Sequence, residues 1–178
     1  QQMQLLKQLP ANKSLVLEQK DATGHFDYSI FFPPAQTGYS DITSSMGNPW
    51  RHKENEFNDF DIQYLIPHTL SARGPKTAVA DVNGDGLDDI YVCSGKGESG
   101  VLMIQGADGR FSASLQPDFD LNKESEDVDA AFFDANGDSH PDLLVITGGN
   151  EILATSRQGE DRLYINDGNG NIKKKELA

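Results

Sequence analysis

Nine residues, Asp81-Val82-Asn83-Gly84-Asp85-Gly86-Leu87-Asp88-Asp89, leave a chain few ways to fold around them. Side-chain oxygens stand at loop positions one, three, five and nine, from Asp81, Asn83, Asp85 and Asp89, and the backbone carbonyl of Leu87 adds a donor at position seven. All are hard oxygen ligands, the set that suits Ca²⁺ and leaves soft metals unserved. Gly84 and Gly86 permit the positive φ that lets so short a loop curl its carboxylates inward. Without a cation, converging carboxylates would repel one another.

A second copy begins 53 positions after Asp81, as Asp134-Ala135-Asn136-Gly137-Asp138-Ser139-His140-Pro141-Asp142. Asp134, Asn136, Asp138 and Asp142 repeat the side-chain donors, and the carbonyl of His140 repeats that of Leu87. Ser139 replaces Gly86, so the second loop departs from the first at a position that wants glycine. An EF-hand would need a bidentate Glu at position twelve and helical flanks; here position twelve is Val92 or Val145. The flanks, Thr77-Ala78-Val79-Ala80 and Ile90-Tyr91-Val92-Cys93, then Ala130-Ala131-Phe132-Phe133 and Leu143-Leu144-Val145-Ile146, are short apolar runs of strand type. Each acidic loop therefore closes a hairpin.

The same order follows each loop. A strand at Val101-Leu102-Met103-Ile104 and a turn at Gly106-Ala107-Asp108-Gly109 lead to Phe111; Arg162-Leu163-Tyr164-Ile165 and Asp167-Gly168-Asn169-Gly170 lead to Ile172. Leu102 and Leu163 are 61 positions apart, so the second unit is longer in the loop between matched strands, where repeats tolerate insertion. About four short strands per unit, apolar on both faces around the acidic loop, require cover on both sides. The expected fold is all-β: a partial β-propeller of four-stranded antiparallel blades.

The chain has 178 residues, 17 of them glycine, with a hydrophobic share of 37%, as a loop-rich β protein should. Its 28 acidic against 15 basic residues give a net charge of −13, which argues against nucleic-acid backbone binding. No apolar run approaches a membrane span. Cys93, the single cysteine, allows no internal disulfide and reads as a small buried hydrophobe. Gln1-Gln2-Met3-Gln4 lacks a signal-peptide core, which reads as an internal fragment or processed form. Filled calcium loops point outside the cytoplasm, to a periplasmic, cell-surface or secreted location.

With these residues in view, Asp-x-Asn-x-Asp-Gly-x-x-Asp after an apolar strand, followed by an apolar strand and a hairpin ending in Asp-Gly-x-Phe, resembles the FG-GAP/VCBS repeat of integrin-α-like propellers. The resemblance covers residues 74 to 178 and implies Ca²⁺ held by Asp81, Asn83, Asp85, Leu87 and Asp89 in one blade, and by Asp134, Asn136, Asp138, His140 and Asp142 in the next. Leu5-Leu6-Lys7-Gln8-Leu9-Pro10-Ala11-Asn12-Lys13-Ser14-Leu15-Val16-Leu17 is similar to the tail of an ASPIC/UnbV module, found in bacterial proteins related to cartilage acidic protein. The expected divisions are 1–24, ASPIC/UnbV-like tail; 25–73, an irregular lead-in with Phe26, Tyr28 and Trp50; 74–120, first blade; and 121–178, second blade. Ser14 to Glu18 and Asp61 to Ile66 read as further strands.

A non-enzymatic scaffold or recognition module for a carbohydrate or protein partner fits this picture, with remaining blades supplied by a longer chain or by neighbouring copies. The rival is a calcium-dependent propeller enzyme acting on polysaccharides, as lyase or hydrolase. Its polar groups would come from His52, Glu54, His68, Arg73 and the acidic run Glu124, Glu126, Asp127 and Asp129. No nucleophile motif, phosphate loop or zinc spacing accompanies them.

Overall fold

A computed structural model describes residues 2–9, 11–25, 27, 29, 31–32, 38–47, 50–151 and 156–176. Phe26 and Tyr28 of the lead-in lie outside the described residues. The chain divides into two compact units, Gln1–Asp41 and Ile42–Ala178. Among the described residues no helix is long and apolar enough to cross a membrane.

In the first unit, β1 (Gln2–Met3) pairs antiparallel with β2 (Gly24–His25), and Gln19–Asp21 forms a 3₁₀ turn. Ser14 to Glu18 is not a strand, contrary to its branched apolar pattern: Leu15, Val16 and Leu17 are exposed, and β-propensity without a neighbouring strand to complete the ladder fixes nothing.

The second unit holds two four-stranded antiparallel sheets, each an up-and-down meander. The first runs β3 (Thr77–Ala80), β4 (Asp89–Val92), β5 (Val101–Gln105) and β6 (Phe111–Ser114); the second runs β7 (Asp127–Phe133), β8 (Asp142–Thr147), β9 (Arg162–Asn166) and β10 (Ile172–Lys175). The architecture is all-β, with sheets of propeller-blade type. Ala80 pairs with Asp89 across the first acidic loop, and Phe133 pairs with Asp142 across the second, so both loops begin and end at one rung of their ladders.

One core serves both blades. Ala78, Tyr91, Cys93 and Leu102 of the first meet Leu143, Val145, Tyr164 and Ile172 of the second, joined by Val82 and Phe119. The initial strands β3 and β7 pack against each other. Cys93 is the buried small hydrophobe its strand implied, and burial pushes its thiol up to about 12. Phe119 comes from α1 (Pro117–Asp120), a single turn after β6; its ring stands edge-on to Tyr91 at 5.3 Å and to Tyr164 at 5.1 Å between centroids. It is the wedge between the blades.

The lead-in to the blades is irregular. Asp61 to Ile66 is not a strand: Asp59–Asp61 forms a 3₁₀ turn in which the Asn58 side chain accepts from the Phe60 amide at 3.3 Å, and Ile62, Tyr64 and Leu65 face solvent. The cause is Asp59, buried with its carboxylate accepting from the amides of Leu70 and Ser71, the Ser71 hydroxyl and Asn150 Nδ2. Folding the chain back to satisfy that carboxylate outweighs an alternating pattern with no sheet edge to join.

Candidate metal loops

The two acidic loops are built alike, bond for bond. Asp81 Oδ1 accepts from the amides of Gly84 (2.7 Å) and Asp85 (3.1 Å), and its Oδ2 from Gly86 (2.8 Å). Asp134 does the same with Gly137 (2.6 Å), Asp138 (3.2 Å) and Ser139 (2.9 Å). Asn83 Oδ1 accepts from Asp85 N while its Nδ2 donates to Asp85 Oδ2; Asn136 and Asp138 repeat this. Asp85 Oδ1 takes the Leu87 amide, as Asp138 Oδ1 takes that of His140. The amide of Gly86, with those of Gly84 and Asp85, holds the Asp81 carboxyl below the usual range; the amide of Ser139 leads the same effect on Asp134. Such carboxylates stabilise the loops above the ordinary carboxylate pKa, and that support is lost as pH falls through the lowered values.

Position nine does a different job. Asp89 is fully buried, its Oδ2 accepting from Val82 N at 3.0 Å and its Oδ1 from Gln105 N at 2.8 Å. Asp142 repeats both bonds, with Ala135 N at 3.0 Å and Asn166 N at 2.8 Å. Burial raises the carboxyl of Asp89. These two residues fasten each loop to the third strand of its blade, a role that the spacing of donors did not disclose.

Among the described residues no three His, Cys, Asp or Glu side chains converge as a metal site. The donor chemistry nonetheless suits a hard cation. Asp81 Oδ2, Asn83 Oδ1 and Asp85 Oδ1 each carry one of these hydrogen bonds, and a carbonyl or carboxylate oxygen has two lone pairs. Ser139 takes φ 71° where Gly86 takes φ 84°, so the second loop keeps its shape with a side chain in the left-handed region. Ser139→Gly should therefore raise stability by about 0.5–1 kcal/mol, the relieved strain exceeding the added freedom of the unfolded chain. Thermal denaturation of the two proteins side by side measures it.

The polar groups considered for catalysis do not gather as one set, although Glu54 lies close enough to Glu126 for their charges to interact. His52 Nε2 pairs with Glu54 Oε1, and Arg73 with His68. Glu124 and Asp129 are exposed, whereas Glu126 and Asp127 are buried. Asp127 accepts from the Tyr91 hydroxyl (2.9 Å), the Ser94 amide (3.4 Å) and the guanidinium of buried Arg162, tying the first blade to the second. Two buried amides add to that tie. Gln116 donates to the Gly170 carbonyl at 2.7 Å and accepts from Ile172 N at 3.0 Å; Asn166 Nδ2 donates to the Val82 carbonyl at 2.8 Å, inside the first acidic loop. Arg162, Gln116 and Asn166 escaped notice in the sequence because each sits at a strand end or turn, where a polar residue is ordinary.

Neither the curated proteins nor the solved structures include a match to the chain. Residues 81–145, the stretch from the first acidic loop through most of β8 that carries both loops, match the family model of the FG-GAP-like repeat, which agrees with the all-β sheets of propeller-blade type around them.

Proposed function

We propose that this chain is a calcium-stabilised propeller segment of an extracytoplasmic protein, a non-enzymatic scaffold or recognition module for a glycan or protein. The observation that carries the reading is the repetition of one hydrogen-bonded, carboxylate-rich loop at the same place in two blades. Ca²⁺ would be held by Asp81, Asn83, Asp85 and the Leu87 carbonyl in one loop and by Asp134, Asn136, Asp138 and the His140 carbonyl in the other. Asp89 and Asp142 would share spare lone pairs with the cation while anchoring the loop. The bound cation neutralises the loop carboxylates, so its effect falls on folding. Exposure of both loops to the surrounding medium and the calcium levels outside the cytoplasm support the location. On the same reading residues 1–24 are an ASPIC/UnbV-like tail, supported by the likeness of Leu5 to Leu17 alone.

Calorimetric unfolding in calcium and in chelator tests this. Each occupied loop should contribute about 2.7 kcal/mol when calcium is at a hundredfold excess over Kd. Asp81→Ala should remove the first loop's share of the calcium-dependent gain and leave the second's. Equal melting temperatures in calcium and chelator would remove the cation from the account.

A further inference from the structure

Where the lead-in meets both blades, three glutamates from three chain segments come together, Glu126 and Glu151 with buried side chains and Glu54 with a side chain 29% exposed. Glu126, at the foot of β7, is 1% exposed, and its Oε2 accepts from the Lys96 amide at 3.0 Å. Glu151, from the loop after β8, has a side chain 3% exposed; its Oε2 faces Asn55 Nδ2 at 2.6 Å and Lys96 Nζ at 3.4 Å, and its Oε1 is buried without a donor. Glu54, from the lead-in, gives Oε1 to His52, while its Oε2 is likewise buried without a donor. Gly95 is the close approach that admits it: a Cβ there would stand 2.6 Å from Glu54 Oε2.

The other charges nearby do not balance three carboxylates. His52 and Asp59 come from the lead-in, Asp59 already saturated by Ser71, Leu70 and Asn150. Asp127 adds a negative charge that Arg162 matches. Lys53 is engaged outside, with Glu98 at 2.6 Å. That leaves Lys96 as the ammonium within reach of the cluster. The donorless oxygens are sealed from solvent, so the smallest species that turns an acceptor into a donor is the one that fits.

We propose that the Glu54–Glu126–Glu151 cluster is a proton-operated clamp, in which a proton on one carboxyl holds residues 50–73 against the two blades and its loss loosens them. Glu126 is the seat of the proton: burial, opposed by the Lys96 amide and reinforced by the charges of Glu54, Glu151 and Asp127, raises it from 4.5 to about 7. The closed form then binds the proton more tightly than an opened form that returns Glu126 to water. Closure is complete below the ordinary glutamate pKa and weakens as pH rises through about 7. A cleft of about 240 Å³ lined by Lys53, Glu54, Asn55, Lys96, Gly97 and Glu98 lies beside the cluster and gives protons a way in.

Hydrogen exchange of the amides around residues 51–58, corrected for intrinsic rates and run at one fixed calcium concentration, reads the clamp. Between roughly pH 5.5 and 8 protection should fall at least tenfold in the wild-type chain, because the opening constant follows the proton lost. Glu126→Gln, which carries its own donor, should hold protection high and flat across that range. Should that variant fail to fold, Glu151→Gln takes its place, and with one repelling charge gone the transition should move to lower pH. Wild-type protection that does not vary with pH, or a Glu126→Gln chain that keeps the wild-type profile, overturns the proposal. So does a pH dependence erased by raising calcium alone, which would give the cluster to a cation. None of these results depends on whether the acidic loops bind calcium.

Discussion

Arg162→Ala is expected to cost about 3–5 kcal/mol of unfolding free energy, the usual penalty for leaving a buried charge without its partner. Arg162 is 4% exposed and lies against Asp127, 3% exposed, whose other bonds go to the Tyr91 hydroxyl and the Ser94 amide of the first blade. Thr147 Oγ1 takes a further bond from the same guanidinium at 3.2 Å. Removing the arginine therefore strands a carboxylate in the seam between blades, where water cannot reach it. Urea denaturation with linear extrapolation measures the loss. The double variant Arg162→Met with Asp127→Leu should recover only part of it, since the charge pair is gone but the buried Tyr91 hydroxyl and Ser94 amide then lose their acceptor. A single variant within about 1 kcal/mol of wild type would show that the pair is solvated and the seam open.

Phe119→Ala should be nearly as damaging, at about 3–4 kcal/mol, because the ring is buried between two aromatic neighbours and its removal leaves a cavity. Tyr91 and Tyr164 belong to different sheets, and Phe119 touches both edge-on. The turn that carries it is too short to hold itself, so losing the ring should free α1 as well. Phe119→Leu, which keeps part of the volume, should lose roughly half as much. Denaturation midpoints for the three proteins test the order. A Phe119→Ala chain as stable as wild type would mean the blades hold together without the ring.

The acidic loops were legible because their pattern is local. Four oxygen-bearing residues at fixed spacing and an apolar run on each side define a hairpin whatever surrounds it, and the hairpins appear at Ala80 to Asp89 and Phe133 to Asp142. The four-strand repeat was legible for the same reason, since each strand pairs with its successor. Asp61 to Ile66 misled because a half-alternating run becomes a strand only where a ladder accepts it. Asp59, whose partners lie eleven or more positions onward, decided that segment instead. The acidic residues Glu126 and Asp127 stood out in the sequence, but neighbours in the chain went to different partners: one to the glutamate cluster, the other to Arg162.

By itself, then, the sequence determined the all-β class, the repeating meander and the two carboxylate-bearing hairpins, because these depend on residues within reach along the backbone. Tertiary structure alone decided which carboxylates face the loop and which are drawn under the sheet, that Phe119 and Arg162 join the blades, and that Glu54, Glu126 and Glu151 meet where the lead-in joins the blades. The physical reason is the range of the interactions. A turn or a strand pair is settled by nearby atoms, whereas the state of a buried charge is set by whatever distant segments exclude water from it.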